Sequence, residues 1–315
     1  MVVDGLGDRG TGTQVLGKGR HLRGDKLHVI VLNWNGEGVI APCLDSLLAV
    51  DNTPMSLIVV DNASVDSSKE IIKRDYPGVV LIENESNLLF AEGNNTGIRY
   101  ALEDGGDRFL ILNNDTVVDP KFASRMLEAM DRSGAGIVGP KILYHDDPER
   151  IWYGGGDFYP IVWIPRHKSI RKLTGTFDDD GAETGYVSGC AMLVRKEVIE
   201  DIGLFDPSYR IYCEDVDFCL RAREAGWKCY YEPEALVWHK VSSSSGGGFT
   251  PFKMENRLRS THKLFQRFKP MWWRVLLFPV HLSGFMLLLG ALILRGKFGL
   301  AAALLRGAWG IARGG

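Results

Sequence analysis

Short apolar runs that end in polar residues alternate with stretches of helical spacing through residues 26–120. The runs cover residues 26–33, 57–61, 79–83 and 109–112. Such runs predict strands buried on both faces, and their alternation with helices predicts a parallel sheet of right-handed βαβ units. Each run ends in Asn or Asp, or in Glu leading to Asn, so polar groups should collect at one edge. Open α/β sheets bind ligands at that edge.

Beyond residue 120 the chain mixes strand and helix patterns. Residues 136–139 and 186–194 predict strands, and Gly189 within the second leaves room for a ligand or another backbone. From Glu214 the apolar positions follow helical spacing as far as Gly226, where a helix would end. Short strand-like pieces follow in residues 230–239.

Three further segments carry little regular pattern. Residues 1–25 contain seven glycines and no apolar run, which predicts a flexible leader. Residues 144–183, which include Trp152, form either an acceptor-binding loop or lid, or a solvated insertion. The Ser- and Gly-rich residues 242–248 are a flexible link or a loop that closes on ligand.

The last fifth of the chain changes character. Residues 275–294 contain no charged residue, and their one histidine is taken as neutral. Arginines stand on both sides of this stretch, and two tryptophans precede it. This length and these flanks are typical of a membrane segment, although a buried helix of a soluble protein remains an alternative. Residues 298–313 predict an amphipathic surface helix. Six cations precede the apolar stretch, as expected for a cytoplasmic segment facing anionic lipid: Lys253, Arg257, Arg259, Lys263, Arg267 and Lys269.

These patterns divide the chain into a leader, a catalytic domain and a tail. The leader is 1–25, the α/β domain is 26–250 with halves 26–120 and 121–250, and the basic and hydrophobic helical tail is 251–315. We expect the tail, from residue 271 onward, to contact membrane lipid. The organisation leaves a homo-oligomer possible.

Composition excludes some classes of function. Lys+Arg 37 against Asp+Glu 39 gives a net charge of -2, which argues against nucleic acid as a partner. Five cysteines without a C-x-x-C pair fit reduced thiols in a cytosolic domain. The loops lack both the dinucleotide-binding glycine fingerprint and a P-loop, so a mononucleotide carrying another group is the better prediction.

Two clusters of polar residues are candidates for chemistry. Asn113-Asn114-Asp115 ends the strand 109–112, where a carboxylate beside amides suits Mg²⁺ or Mn²⁺ carrying a diphosphate; alternatively, Asp115 caps backbone amides. Glu214, Asp215 and Asp217 crowd a helix amino terminus. Capping explains one or two carboxylates there, but not three so easily.

The ordered motifs of the chain resemble the inverting family 2 glycosyltransferases, in particular the branch with rhamnosyl- and galactofuranosyltransferases. The resemblance covers residues 27 to about 245 and depends on five blocks in the family's order. They are Val-Leu-Asn-Trp-Asn (31–35), Val-Val-Asp-Asn-Ala-Ser (59–64), Asn-Leu-Leu-Phe-Ala-Glu-Gly-Asn-Asn-Thr-Gly (87–97), Leu-Asn-Asn-Asp-Thr (112–116), and Glu-Asp-Val-Asp-Phe-Cys-Leu-Arg (214–221) followed by Trp238-His239.

The resemblance implies a type-A glycosyltransferase fold, a UDP-, dTDP- or GDP-sugar donor, and a divalent metal. By position, Leu32, Trp34, Asp61, Asn87, Asn94 and Asn114 would bind the nucleotide sugar. Asp115 and His239 would be metal ligands, Asp215 the catalytic base, and Glu214, Gly189 and Trp152 would lie on the acceptor side or behind the base. Asn113 replaces the first carboxylate of the familiar Asp-x-Asp motif, which predicts weaker, donor-dependent metal binding.

The chemistry gives each role a reason. A metal can neutralise the charge that grows on a departing nucleoside diphosphate, and a carboxylate can take the proton of the attacking hydroxyl. The expected enzyme is therefore an inverting glycosyltransferase that extends a glycan or polyprenyl-linked acceptor on the cytoplasmic face of a membrane. A nucleotidyltransferase, or a catalytically silent nucleotide- or glycan-binding partner in a membrane assembly, is the alternative.

Overall fold

The computed structural model describes residues 14–16, 26–176, 179–241 and 250–313. The strands are β1 (Gln14–Leu16), β2 (Leu27–Asn33), β3 (Met55–Asp61), β4 (Val80–Glu83), β5 (Arg108–Asn113), β6 (Thr116–Val118), β7 (Ile137–Tyr144), β8 (Asp147–Tyr153), β9 (Gly156–Phe158), β10 (Pro165–His167), β11 (Ala182–Glu183), β12 (Ala191–Arg195) and β13 (Cys229–His239). The helices are α1 (Ile40–Leu48), α2 (Ser68–Asp75), α3 (Leu89–Glu103), α4 (Phe122–Ser133), α5 (Lys196–Ile202), α6 (Glu214–Glu224), α7 (Pro251–Phe268), α8 (Met271–Leu294) and α9 (Phe298–Ala312).

Four parallel strands in the order β4-β3-β2-β5 form the first half of the main sheet. Their register aligns the polar ends, because Asn33 pairs with Asp61, Asp61 pairs with Glu83, and Leu32 pairs with Asn113. Both the parallel sheet and the common polar edge predicted from the sequence are confirmed.

Beyond β5 the sheet becomes mixed. β12 lies between β5 and β7 and runs antiparallel to both, and β13 is parallel to β7 with a register shift between Glu232 and Leu236. The strand predicted over 186–194 is correct from Ala191 onward, whereas its first five residues form a loop and a turn. A Cβ atom on Gly189 would lie 2.7 Å from Cζ of Phe90, so any larger residue in that turn would displace the Phe90 ring.

The stretch 144–183 is more regular than its sequence indicates. β8 pairs with β7, and β9 and β10 form a separate hairpin. Both pairings join strands that are adjacent along the chain, and these hairpins order a segment whose residue spacing predicts no strands.

The C-terminal helices fold back on one another. Met254 of α7, Leu292 of α8, and Ala301 and Leu304 of α9 form a small core of their own. α8 begins four residues before the predicted apolar stretch and is long and apolar enough to cross a membrane.

The sequence predicts that the cations before α8 face lipid, but four of them lie against protein. Lys263 and Arg267 lie 3.6 and 3.0 Å from the carboxylate of Asp206, while Lys253 and Arg257 line the main cavity. Packing of α7 on the α/β domain turns these four side chains toward protein.

The predicted leader and link are described only in part. Residues 14–16 pair as β1 with the edge strand β4, where the sequence predicts no packed element. The rest of residues 1–25 and the predicted link 242–248 lie outside the described residues.

Candidate active site

A cavity of about 790 Å³ lies at the carboxyl ends of β2, β3 and β5. The sheet-edge wall comprises residues that follow these strands or begin α3, and the helical wall comprises residues at the start of α6 and along α7. Ten of the twelve predicted site residues line the cavity: Leu32, Trp34, Asn87, Asn114, Asp115, Trp152, Gly189, Glu214, Asp215 and His239.

Asp61 and Asn94 are not among the lining residues, in contrast to the expectation that they contact the nucleotide. Both are fully buried. Asp61 accepts hydrogen bonds of 2.8 Å from the Asn33 side chain and from the backbone N–H of Ser64, and Asn94 donates one of 2.9 Å to the carbonyl of Phe90. Their side chains are therefore used to hold the wall rather than to form its surface.

Asn62 lines the sheet-edge wall and was missed by the sequence interpretation. Its side chain donates to the Asn87 side chain at 3.3 Å and accepts from the Asn84 side chain at 2.8 Å. Asn114 in turn donates to Asn33 at 2.8 Å. The sheet-edge wall is thus an amide network, with the half-exposed Trp34 beside it.

Asp115 and His239 meet because β6 pairs with β13, with Thr116 opposite His239. The Nε2 atom of His239 lies 3.1 Å from Oδ1 of Asp115, and both side chains are buried. Burial by itself would lower the pKa of His239, but the neighbouring Cys190 and Asp115 raise it to about 10. The ring of Trp152 contacts His239 edge-on, with centroids 4.7 Å apart.

The Asp115 and His239 pair fits a divalent cation that binds together with a donor. One carboxylate and one imidazole are suitable ligands for Mn²⁺, and a cation would displace the ring proton because a ligating imidazole must be neutral. Among the described residues no group of three or more His, Cys, Asp or Glu side chains could hold a metal. A cation held by these two side chains would have further positions open to diphosphate oxygens, and the donor-dependent binding stays a prediction.

The start of α6 carries the carboxylates of the helical wall. Oδ2 of Asp215 accepts a 2.9 Å hydrogen bond from the backbone N–H of Gly189. Burial raises the pKa of Asp215, against the opposing effect of this donor and the N–H of Val216. Burial and the neighbouring Asp215 raise the pKa of Glu214 well above its ordinary value, and Oε2 of Glu214 has no hydrogen-bond partner among the described residues.

Asp217 belongs to the same motif but has a different role. Its buried carboxylate pairs with Arg221 at 2.9 Å and with Arg267 of α7 at 2.9 Å. The structure therefore separates the three carboxylates, with two at the cavity and one holding α6 to α7.

The turn before α6 is held in an unusual conformation. Tyr212 and Cys213 have φ values of +70° and +66°, a region that costs a non-glycine residue about 1–3 kcal/mol and that is common at functional sites. Tyr212 lines the cavity together with Lys253 and Arg257, which the sequence assigned to lipid. The i,i+4 spacing of these two cations was the signal that they share one helix face.

The family model described as Glycosyl transferase family 2 matches residues 28–203, more than half of the chain. The chain belongs to glycosyl transferase family 2. This glycosyltransferase carries Asp215 and His239 beyond the matched residues, so their place in the site comes from the structure and the motif resemblance. The family does not favour the nucleotidyltransferase or silent-partner alternatives.

Curated relatives include rhamnosyltransferases. The N-acetylglucosaminyl-diphospho-decaprenol L-rhamnosyltransferase of Mycobacterium tuberculosis is 28% identical over 248 residues, covering 70% of this chain and 78% of the relative. The dTDP-rhamnosyl transferase RfbF of Shigella flexneri is 26% identical over 219 residues, covering 70% of each chain.

Solved structures confirm the type-A glycosyltransferase fold. The mannosyltransferase PcManGT from Pyrobaculum calidifontis, in complex with GDP-Man and Mn²⁺, superposes with a TM-score of 0.58 at 17% identity, covering 92% of this chain and 87% of that one. GalNAc-T7 with UDP, GalNAc and Mn²⁺ gives 0.59 at 16% identity, covering 75% and 47%. At these identities the likeness shows the fold alone.

Proposed function

We propose that this glycosyltransferase moves a sugar from a nucleoside diphosphate donor to a hydroxyl group of a lipid-linked glycan, with inversion and with Mg²⁺ or Mn²⁺. The observation that carries the proposal is that Asp215 and the Asp115 and His239 pair line one cavity. The names of the rhamnosyltransferase relatives, one acting on a decaprenol-linked diphosphate sugar and one a dTDP-rhamnosyl transferase, support a dTDP-sugar donor and a polyprenyl-diphosphate acceptor.

Asp215 is the proposed base. The backbone N–H of Gly189 fixes its Oδ2 atom, and its raised pKa makes it a stronger proton acceptor than an exposed aspartate. As the acceptor oxygen attacks the anomeric carbon, Asp215 takes the hydroxyl proton. The rate should therefore fall when the pH drops through the raised pKa of Asp215.

The leaving diphosphate needs positive charge on the other side. Asp115 and His239 would hold the divalent cation, which when bound neutralises charge on the departing oxygens. Lys253 and Arg257 contribute two further cationic groups to the same cavity. Together these positive charges stabilise the departing nucleoside diphosphate, so that it can leave without being protonated.

Inversion follows from a single displacement. Retention by double displacement would require a second carboxylate as nucleophile. Glu214 is the adjacent carboxyl group, and burial together with Asp215 raises its pKa, which favours the protonated form, a poorer nucleophile than a carboxylate.

The membrane supplies the acceptor in this proposal. α8 is long and apolar enough to associate with lipid. The cysteines are all buried thiols without disulfides among the described residues, which agrees with the cytoplasmic face as the place of reaction.

The test is release of nucleoside diphosphate from dTDP-, UDP- and GDP-sugars with Mn²⁺ and a polyprenyl-diphosphate-linked sugar. Asp215→Asn should lower kcat by about 10²–10⁴, with unchanged thermal unfolding. Asp146→Asn, at a carboxylate whose side chain is 86% exposed, is the matched control and should leave kcat unchanged. Equal rates for wild type and Asp215→Asn would show that Asp215 is not the base. Release of pyrophosphate would indicate nucleotidyl transfer.

A further inference from the structure

α8 presents an apolar surface that the described part of the chain does not cover. The exposed fractions of Val275, Phe278 and Leu287 are 65%, 63% and 75%, and no charged residue lies between Arg274 and Arg295. The opposite side of the helix packs on the rest of the chain, with Leu277 and Leu292 buried.

α8 runs back along α7 instead of projecting away from the α/β domain. Midway along α8, Nε2 of His281 lies 3.0 Å from the carbonyl oxygen of Val162, and its ring centroid is 4.9 Å from that of Phe265. Near the end of α8, Leu292 packs with Met254 at the beginning of α7. Protein contacts therefore occur at both places.

This packing is incompatible with α8 crossing a bilayer. His281 lies about 15 Å along the helix, and the residues after it extend for only about 20 Å, which is short of the ~30 Å hydrocarbon core. A crossing would also take α7 into hydrocarbon. α7 carries Glu255, Arg259 and Lys263, and charged side chains there are costly.

The tip of the β9–β10 hairpin, residues 159–164, extends the same apolar surface. Residues 158–165 contain no charged residue, and Ile161 is 67% exposed. The ring of Trp163 stacks on Phe158 at 4.5 Å and lies 4.1 Å from Nζ of Lys269, next to α8.

Cations follow the hairpin tip. Residues 166–172 contain Arg166, Lys168, Arg171 and Lys172, and the guanidinium of Arg166 lies over the Tyr159 ring at 5.0 Å. An apolar, aromatic tip followed by basic residues complements an anionic lipid surface.

We propose that α8 and the hairpin tip 159–164 form one docking face that lies in the plane of a membrane, with α8 not crossing it. The occupant is the boundary between headgroups and acyl chains. The inference rests on the membrane association in the proposed function and adds the hairpin as a contact and the in-plane orientation.

The docking face is connected to the active site through aromatic contacts. His167 of β10 lies 4.5 Å from the ring of Trp152, which lies 4.7 Å from His239. A lipid-linked acceptor whose chain remains in the membrane would therefore enter beside the cavity wall that Trp152 forms.

The test places a fluorophore on single introduced cysteines of the full chain in vesicles that contain anionic lipid. The variants are Ile161→Cys, Leu287→Cys within one turn of the centre of the apolar stretch, and Val65→Cys as a control that is 91% exposed on the α/β domain. The native cysteines are buried, so labelling should be selective. Lipids carry a nitroxide either near the headgroup or near the end of the acyl chain.

We expect positions 161 and 287 to be quenched more strongly by the shallow nitroxide, and position 65 by neither. Stronger quenching of 287 by the deep nitroxide would show a crossing helix and overturn the proposal. Quenching of 287 but not of 161 would overturn the role of the hairpin. If neither is quenched and the labelled protein has twice the expected mass, a second copy covers this face and membrane docking is wrong. Nucleoside diphosphate release, measured on every variant, reports separately on folding and sugar transfer.

Discussion

The two walls of the cavity hold their polar groups in different ways. On the sheet-edge wall, Asn62, Asn87 and Asn114 take part in hydrogen bonds within an amide network. On the helical wall, Glu214 and Asp215 are carboxyl groups whose pKa burial raises. Amides do not titrate, so the first wall should bind a nucleotide similarly over a wide pH range. Proton transfer at the second wall should depend on pH.

Among changes to the two walls other than loss of the base, the largest effect should come from removing a proposed metal ligand on the sheet-edge wall. Asp115→Ala takes away the single carboxylate beside His239, and we expect kcat to fall about 100-fold or more, as for the loss of a group that stabilises developing charge. Binding of Mn²⁺ in the presence of nucleoside diphosphate, followed by electron paramagnetic resonance, should weaken in parallel. Asp146→Asn is the control, and unchanged Mn²⁺ binding by Asp115→Ala would contradict the ligand assignment.

An intermediate effect should come from loosening the helical wall. Arg267→Ala removes one of the two arginines that pair with the buried carboxylate of Asp217 and leaves Arg221. This should lower the free energy of unfolding by about 1–3 kcal/mol. Urea unfolding in detergent measures the loss. Arg99→Ala, which breaks a partly exposed pair with Glu92, should cost less than about 1 kcal/mol; equal losses would show that the Arg267 contact is an ordinary surface pair.

The smallest effect concerns stability against pH. Because the pKa of Glu214 is raised in the folded protein, the folded state binds its proton more tightly than the unfolded state does. The resulting stabilisation is complete below the unfolded pKa, about 4.3, and is lost as pH rises through the folded pKa. The free energy of unfolding of Glu214→Gln should therefore depend less on pH than that of the wild type. The two should diverge by about 1.4 kcal/mol for each tenfold difference in proton affinity between the folded and unfolded states of the wild type. Parallel stability curves for the two proteins between pH 4 and 8 would refute this.

Much of the sheet-edge wall could be predicted because it follows local order. Strands β2, β3 and β5 appear as apolar runs, and parallel strands bring their ends to one edge. The same reasoning could not distinguish Asp61, whose oxygens are used by Asn33 and Ser64, from a residue on the surface.

The helical wall was harder to predict because it depends on packing between distant segments. The motif indicated Asp215, but the division of labour between Glu214 and Asp217 follows from contacts with α7. In the sequence, Lys253 and Arg257 belong to a basic run before a predicted membrane segment. Only the packing of α7 on the α/β domain directs their side chains toward the cavity.

The amino-acid sequence alone determined the alternating strands and helices, the polar residues at their ends and the apolar length of α8, because periodicity and strand ends are properties of neighbouring residues. The family resemblance implied that Asp115 and His239 share a site, and the pairing of β6 with β13 brings them to 3.1 Å. Tertiary structure alone decided that Asp217 faces α7 rather than the cavity, and that α8 lies along the protein. These outcomes depend on strand register and helix packing, which join residues far apart in the chain.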